Sequence, residues 1–184
     1  MKVITLNPNE FTHACVRLQQ LIASAGVHPD VVIGIASGGD FVAQEMFPQL
    51  PHSSVTLRRP STARKERKWV KTVVRALPLW LRDRLRLLEA KRLARKTPKP
   101  MTTESIQLPD LSLNATTILM VDDAVDSGVT LRTVVQAIKQ RYPQAEVLTA
   151  VLNVTTLNPL IKPDFVLYPQ AEVLIRFPWS IDYR

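Results

Sequence analysis

The sequence predicts an α/β fold with a doubly wound, mostly parallel sheet. Short β-branched runs alternate with stretches whose apolar residues recur at helical spacing, as in VVIGIA (31–36) followed by FVAQEMF (41–47). Strands that alternate with helices imply parallel pairing and a ligand site at the carboxyl ends of the strands. The chain has 184 residues, 46% of them hydrophobic, which suffices for one such core and is too short for two. We therefore expect residues 1–184 to form a single domain.

The predicted elements begin with a helix. The stretch Asn7-Pro8-Asn9-Glu10 is typical of a helix start, with Asn7 or Asn9 as the N-cap, and Gly26 is expected to end this helix. The strand at 31–36 then leads through Ser37-Gly38-Gly39-Asp40 into a second helix. Further strands are predicted at 53–57, 116–121, 146–154 and 164–168, and a further helix at 130–141.

The positive charge is concentrated in one segment. The net charge is +8, but residues 58–99 contain ten Arg and six Lys against three acidic residues. This segment therefore carries +13 and the remainder of the chain −5. A cationic segment on a mildly acidic domain indicates a dedicated contact with phosphates, lipid headgroups or an acidic partner. The sequence thus predicts a polyanion contact through Arg58–Lys99.

Residues 58–110 interrupt the α/β pattern and are predicted to be a basic helical insertion. Two amphipathic helices joined at Pro78 are expected, because apolar residues share one helical face on each side of this proline. In the second helix, an apolar face of Trp80, Leu81, Leu85 and Leu88 lies opposite Arg82, Arg84, Arg86 and Lys91. The apolar faces require cover from the domain, another subunit or a lipid surface.

Several classes of protein are disfavoured by the composition. No window approaches eighteen uninterrupted apolar residues, and MKVITLNPNEF lacks the basic and then apolar order of a secretory signal. Cys15 has no partner for a disulfide within the chain and is expected to be a small buried residue. His13, His28 and His52 lack the spacing of zinc ligands. We expect a cytoplasmic protein.

An acidic cluster follows the predicted strand at 116–121. In ILMVDDAVDSGVTLRTV (118–134), Asp122 and Asp123 come directly after the buried run. The carboxyl end of a central strand faces the crevice where substrates bind. Two adjacent carboxylates repel each other, so a partner that neutralises both is expected, either Mg²⁺ or a diol that donates hydrogen bonds.

The next residues, Asp126-Ser127-Gly128-Val129-Thr130, form the predicted turn into a helix. Backbone N–H groups, the helix dipole and two hydroxyls there make a cradle suited to a phosphate monoester. A diol partner beside a phosphate partner describes a ribose 5-phosphate.

With these residues the sequence resembles the type I phosphoribosyltransferases, and VDDAVDSGVTL is similar to their signature. Within the family the likeness is to the bacterial xanthine-guanine phosphoribosyltransferases. It covers residues 7–57 and 115–180 and leaves the insertion unmatched. A C-terminal hood is expected at 164–184. Members of this family bind 5-phosphoribosyl 1-pyrophosphate (PRPP) with Mg²⁺ and transfer the phosphoribosyl group to a nitrogenous base.

The resemblance implies a role for each matching residue. Asp122 and Asp123 would hold the ribose hydroxyls and the metal, and Asp126 would accept a proton from the base. The 5-phosphate would lie in a cradle of Ser127, Gly128, Val129 and Thr130. The pyrophosphate would lie against the loop formed by Ser37, Gly38 and Gly39, where close backbone N–H groups reach the leaving group.

Three departures from the family pattern concern catalysis and the choice of base. Ser37 stands where this branch usually carries a basic residue, and Arg58-Arg59 with the insertion replaces the mobile loop. The lysine that reads the purine 6-oxo group falls near Asn153, whose amide both donates and accepts. The base-stacking aromatic falls near Val173 or Leu174, and Trp179 is the nearby aromatic that we nominate for base contact instead.

Two functions are consistent with these features. The first is a Mg²⁺-dependent phosphoribosyltransferase that acts on a purine or purine-like base, expected by likeness to form a homodimer. The second is a non-catalytic sensor of PRPP or a nucleotide, whose basic insertion binds nucleic acid or an anionic membrane. Ser37 and the absent family loop favour the sensor.

Overall fold

The computed structural model describes residues 2–57, 77–94, 106–110, 115–169, 173–180 and 182–183. The strands are β1 (Lys2–Thr5), β2 (Val31–Ile35), β3 (His52–Leu57), β4 (Ile106–Gln107), β5 (Thr117–Val125), β6 (Glu146–Val154), β7 (Phe165–Tyr168) and β8 (Val173–Arg176). The helices are α1 (Pro8–Ser24), α2 (Gly38–Met46), α3 (Leu79–Ala94) and α4 (Val129–Arg141). Among these residues, no helix has the length and apolar character needed to cross a membrane.

Six strands form the main sheet in the order β4-β3-β2-β5-β6-β7. The pairs from β3 to β7 are parallel, and the short β4 is antiparallel to β3. The predicted fold class, a doubly wound and mostly parallel α/β sheet, is therefore confirmed. The order places β2 and β5 side by side at the centre, so the segments that follow these two strands leave the same edge of the sheet.

Helices cover both faces of the sheet because the central strands are apolar on both sides. In β5, Leu119 and Val121 pack with α1 and α2, whereas Ile118 and Met120 pack with α4. Cys15 is fully buried in the α1 side of the core, and burial raises the pKa of its thiol to about 12. It is the buried apolar residue that the sequence predicted.

Helix α1 begins and ends as its sequence indicates. Asn7 rather than Asn9 is the N-cap, and its side chain accepts a hydrogen bond from the Glu10 N–H while the Glu10 carboxylate accepts one from the Asn7 N–H. This reciprocal capping box satisfies two N–H groups that have no acceptor within the helix. After the helix, Gly26 adopts φ +75°, a left-handed conformation that favours glycine.

Strand β5 is four residues longer at its carboxyl end than the predicted strand, because its pairing with β6 continues through Ala124–Asn153 and Val125–Val154. The apolar run in the sequence ends at Val121, whereas the backbone pairing with β6 continues to Val125. Asp122 and Asp123 consequently lie on the strand itself and not in the turn that follows it. Their positions are fixed by sheet hydrogen bonds.

The insertion is described only in part, and the predicted first helix, before Pro78, lies almost entirely outside the described residues. The second predicted helix is α3. The expectation that Arg84 lies opposite the apolar face is wrong, because Trp80, Arg84 and Leu88 are spaced four residues apart and all three are exposed. Arg82 is buried, with 3% of its surface exposed, and Trp80 is exposed. The reason is that Arg82 and Arg86 bind the C-terminal segment, where their acceptors lie.

The C-terminal segment forms a small parallel sheet in which β8 pairs with β1. Neither strand is predicted by the sequence. At the end of β8, the guanidinium of the buried Arg176 donates to the Asp182 and Asp83 carboxylates and to the Thr5 hydroxyl. Arg86 of α3 donates to Asp182 Oδ1 over 2.8 Å and to a β8 carbonyl over 2.6 Å. These contacts join α3 to the small sheet.

The carboxylate of Asp182 is held by this cluster of charges. Burial favours its neutral form, but hydrogen bonds and charges from Arg176 and Arg86 outweigh burial and hold the pKa of Asp182 below its ordinary value. Asp182 is therefore ionised at neutral pH. The small sheet and α3 are therefore joined by ion pairs. Most other elements of the fold are joined by apolar packing.

Candidate active site

An open cleft of about 360 Å³ lies at the carboxyl ends of β2 and β5. This volume is within the range of small-molecule sites. Its walls come from the segment after β2, from the stretch between β5 and α4, and from one C-terminal aromatic residue. The lining residues are Ile35, Ala36, Ser37, Gly38, Asp122, Asp123, Ala124, Val125, Asp126, Ser127, Gly128, Thr130, Leu131 and Trp179. Nine of the twelve residues predicted for the site thus share one cavity.

Asp122 and Asp123 form the acidic floor of the cleft. The Asp123 N–H donates to Asp122 Oδ1 over 2.9 Å. Burial, and after it the charge of Asp123, raises the pKa of Asp122 well above its ordinary value of 3.8. Burial likewise raises the pKa of Asp123, although a hydrogen bond from Trp179 opposes the change. Ionising both carboxyl groups therefore costs free energy. A bound cation or several hydrogen-bond donors would lower this cost.

Trp179 connects the C-terminal segment to this acidic floor. Its Nε1–H donates to Asp123 Oδ2 over 3.1 Å. The indole stacks on Phe41 and Phe177, with ring centroids 4.8 and 4.9 Å away, and meets the edge of Phe11 at 5.0 Å. Trp179 lines the cleft, but its ring packs between protein aromatic rings, and its contact with a base stays a prediction. Its polar edge is directed at Asp123.

Two helices begin at the cleft. Ser37 is the N-cap of α2 and Gly128 is the N-cap of α4, and neither helix has a side-chain capping hydrogen bond. The first N–H groups of a helix have no acceptor within it, and the helix dipole adds partial positive charge there. The cleft therefore combines two sites for anions with a floor of two carboxylates. The peptide bond between Ala36 and Ser37 is cis.

Glycine is required by the geometry at two positions in the cleft. Gly38 lies so close to Asp123 that a Cβ at residue 38 would overlap the Asp123 carboxylate. Gly128 adopts φ +77°, and a Cβ there would also approach the Leu160 backbone nitrogen to 3.0 Å. The loop between β6 and β7 contacts this turn, because the Leu160 N–H donates to the Ser127 carbonyl over 2.9 Å.

Three predicted site residues do not line the cleft. Gly39 is buried beneath it against the Val121 carbonyl, and Val129 lies in the first turn of α4. Asn153 is buried in β6, where its Nδ2 donates to the Val173 carbonyl over 3.0 Å and its Oδ1 has no partner among the described residues. The Asn153 amide therefore contacts β8 and does not face the cleft where a base would lie.

A family model described as the phosphoribosyl transferase domain matches residues 4–168, most of the chain. The chain belongs to the phosphoribosyltransferase family. This confirms the type I resemblance and the enzyme class predicted from the acidic motif. No curated protein matches the sequence significantly.

Solved structures of phosphoribosyltransferases share this fold. The xanthine-guanine-hypoxanthine phosphoribosyltransferase of Helicobacter pylori has a TM-score of 0.66 at 17% identity, covering 98% of this chain and 95% of its own. The purine phosphoribosyltransferase of Pyrococcus horikoshii has a TM-score of 0.59 at 20% identity, with the same coverage. A hypothetical protein of Neisseria gonorrhoeae, solved with bound ppGpp, has a TM-score of 0.63 at 18% identity and covers 97% and 89%.

The acidic floor of this phosphoribosyltransferase fits a shared metal ion better than a closed metal cage. Among the described residues, no group of three or more His, Cys, Asp or Glu side chains could hold a metal by itself. Mg²⁺ in phosphate-binding sites is typically held by one or two carboxylates, with phosphate oxygens and water completing the shell. Asp122 and Asp123 match such a site, because burial raises the pKa of both carboxyl groups and a bound cation would favour their ionised forms.

One residue that supports the site of this phosphoribosyltransferase was missed by the sequence analysis. The Thr155 hydroxyl donates to the exposed carboxylate of Asp126, and the Thr155 N–H donates to the Val125 carbonyl over 2.9 Å. A signal existed in the pattern, because a residue directly after β6 must lie beside the end of β5 in a parallel pair. The predicted β5 was too short for this neighbour to be recognised.

The raised pKa of Asp122 gives a prediction for stability. Above the ordinary value of 3.8 the folded state bears the cost of ionising Asp122, so stability falls as pH rises towards the raised pKa. Asp122→Asn keeps the acceptor for the Asp123 N–H and removes this cost. Without ligand or divalent cation, we expect its Tm at about pH 7.5 to rise by about 2–4 °C per kcal/mol relieved, with no gain near pH 4.

Asp30 supplies a control of opposite sign. Hydrogen bonds, first from the Thr116 hydroxyl and then from the Thr117 and Thr116 N–H groups, lower the pKa of Asp30. Asp30→Asn should therefore lower Tm at about pH 7.5 and have less effect in acid. Melting curves of both variants at the two pH values test the sign. A loss of stability in Asp122→Asn at neutral pH would contradict the proposed electrostatic cost.

Proposed function

We propose that the chain is a Mg²⁺-dependent phosphoribosyltransferase that transfers the phosphoribosyl group of PRPP to a purine or purine-like base and releases pyrophosphate. One observation carries the proposal: a pair of partly buried carboxylates and the starts of two helices, which have no side-chain caps, open on one cleft. A sugar diol between two phosphate-bearing carbons is complementary to this arrangement, and PRPP has that structure.

The proposed binding mode assigns each part of PRPP to a different wall. The 5-phosphate lies at the start of α4, among the backbone of Ser127–Thr130, and the pyrophosphate lies at the start of α2, against Ser37 and Gly38. The ribose hydroxyls donate to Asp122 and Asp123, whose carboxylates have no proton to donate and offer acceptors on both oxygens. Asp122 and Asp123 would hold Mg²⁺, which would offset the negative charge of the leaving pyrophosphate.

In the proposed reaction the bond from ribose C1 to the pyrophosphate oxygen breaks, and a bond from C1 to a base nitrogen forms. Positive charge develops on the ribose ring in between, and the negative floor of Asp122 and Asp123 stabilises it. The incoming base nitrogen loses a proton, and Asp126, exposed at the cleft, is the proposed acceptor. The Thr155 hydroxyl orients that carboxylate.

Calorimetric titration with PRPP in the presence of Mg²⁺, followed by a pyrophosphate-release assay with a panel of purine bases, tests this function. We expect saturable PRPP binding and release of pyrophosphate with at least one base. The absence of PRPP binding would overturn the proposal. PRPP binding without release from any base would support the sensor described next.

A second candidate is a non-catalytic sensor of PRPP or a nucleotide. Two observations favour it. The described cleft lining contains no Lys or Arg, so no described cation faces the leaving pyrophosphate. The fold is also shared by the Neisseria gonorrhoeae protein that was solved with bound ppGpp. Binding of ppGpp and PRPP in competition, without turnover, is the result that this candidate predicts.

Trp179 is proposed as a positioning residue for Asp123. Trp179→Phe keeps an aromatic ring between Phe41 and Phe177 but removes the N–H that donates to Asp123. Loss of one hydrogen bond to a charged group corresponds to about 1.5–3 kcal/mol, or about 10–150-fold in kcat/KM. The rate profile should also shift to higher pH, because that hydrogen bond lowers the pKa of Asp123.

The control is Trp80→Phe, the same substitution on the exposed surface of α3. Its kcat/KM and its pH profile should match those of the unmodified protein. If Trp179→Phe lowers only the melting temperature and leaves the pH profile in place, Trp179 acts as a packing residue and the positioning role is rejected.

A further inference from the structure

Helix α3 presents large apolar side chains to solvent. The exposed fraction is 62% for both Trp80 and Leu88, 55% for Leu79 and 45% for Leu85. Trp80, Arg84 and Leu88 are spaced four residues apart and therefore lie along one face of the helix. We call the side chains of Trp80, Arg84, Leu85 and Leu88 the α3 outer face. A helix that covers a soluble core normally turns such residues inward.

The opposite side of α3 explains why the apolar side chains point outward. Arg82 donates to the Asp182 carbonyl over 2.6 Å, Asp83 accepts from Arg176, and Arg86 binds Asp182 and the Ile175 carbonyl. Rotating the helix to bury its apolar side would remove these partners from buried charges. Such charges are costly when unpaired. The contacts of Arg82, Asp83 and Arg86 therefore keep the apolar side chains of α3 turned outward.

The charge around the outer face indicates what covers it. Arg84 is exposed within the face, and the sequence segment 58–99 that contains α3 carries +13. Helices with Trp and Leu on one side and many cations nearby bind at the surface of anionic membranes, where apolar groups enter the boundary of the acyl chains and cations attract the headgroups. The positive charge and the exposed apolar side chains are both complementary to such a membrane surface.

We propose that the α3 outer face docks the protein on an anionic lipid surface. This interaction is separate from the proposed reaction, since no residue of the outer face lines the cleft. A second copy fits less well, because a two-fold contact through this face would bring the exposed Arg84 of both copies into one contact. Nucleic acid also fits less well, because three large apolar side chains find no counterpart in a phosphate backbone.

Vesicle flotation with the full-length protein tests the proposal. One set of vesicles contains phosphatidylcholine alone, and the other contains about one third phosphatidylglycerol. We expect the partition coefficient to be at least about tenfold higher on the anionic vesicles. Trp80→Ser with Leu88→Ser should lower it by at least about tenfold, because two large apolar side chains no longer enter the boundary region.

The matched control is Leu157→Ser, which removes an apolar side chain that is 80% exposed in the loop after β6. It should bind anionic vesicles as the unmodified protein does. Melting curves and PRPP titration show whether each variant is folded. Equal binding to both kinds of vesicle, or an equal loss in the control, would overturn the assignment to α3 and an anionic surface.

A second readout follows Trp80 itself. Fluorescence emission should shift to the blue when anionic vesicles are added, and Trp80→Phe should remove most of that shift while binding persists. Salt-dependent binding of an RNA or DNA duplex without vesicle binding would overturn the proposal in favour of nucleic acid. A dimer that Trp80→Ser with Leu88→Ser dissociates, without vesicle binding, would overturn it in favour of self-association.

Discussion

Replacing Asp122 and Asp123 together by Asn is expected to weaken PRPP binding by about two to four orders of magnitude. Each carboxylate is proposed to accept a ribose hydroxyl or bind the Mg²⁺ that PRPP carries. A hydrogen bond to a charged group corresponds to about 1.5–3 kcal/mol, so two such losses give about 3–6 kcal/mol. Calorimetry with PRPP and Mg²⁺ measures the loss directly.

This loss can be separated from unfolding because the two properties should change in opposite directions. The double variant removes two carboxyl groups whose ionisation is costly, so in the absence of ligand its melting temperature at neutral pH should rise. Asp30→Asn, at the amino end of β2 and away from the cleft, should leave PRPP affinity within about threefold. Retention of PRPP binding by the double variant would reject the proposed role of the acidic floor.

The largest effect on stability is expected from Arg176→Met. Arg176 is buried and donates to two carboxylates and one hydroxyl that belong to three different parts of the chain. Removing one partner of a buried ion pair leaves uncompensated charge and costs about 3–5 kcal/mol. For a protein of this size that is a fall in Tm of about 6–20 °C. Urea unfolding gives the change in free energy.

Arg141→Met is the matched control for this prediction. Arg141 forms an exposed ion pair with Asp110 at 3.6 Å, and pairs of this kind contribute about 0–1 kcal/mol. Adding Asp83→Asn and Asp182→Asn to Arg176→Met should recover part of the lost stability, because the orphaned charges are then removed. An Arg176→Met variant as stable as the Arg141→Met control would show that the cluster contributes little to folding.

The parallel sheet and much of the cleft could be predicted from the sequence because both depend on local patterns. Continuous β-branched runs mark strands that are buried on both faces, and the ends of parallel strands meet at one edge. Ser37 and Asp122 are far apart in sequence but follow neighbouring strands, so their meeting in one cleft was predictable. The strands β1 and β8 were not, because each has four residues and pairs only with the other.

Contacts between segments that are far apart in the chain could not be predicted from the local sequence pattern. The hydrogen bond between Trp179 and Asp123 joins residues 56 positions apart, and nothing near either residue indicates the other. The orientation of α3 could not be predicted for a different reason. The pattern of the helix defines two faces, but which face turns inward depends on Asp182 and Arg176, far along the chain.

The short stretch from Arg176 to Asp182 contacts two separate parts of the fold. Its two ends hold α3 through ion pairs, and Trp179 between them holds a carboxylate of the cleft. Linkage between two binding sites is reciprocal. If ligand in the cleft changes the proposed lipid adhesion of α3 through this stretch, adhesion must change the affinity of the cleft by the same factor.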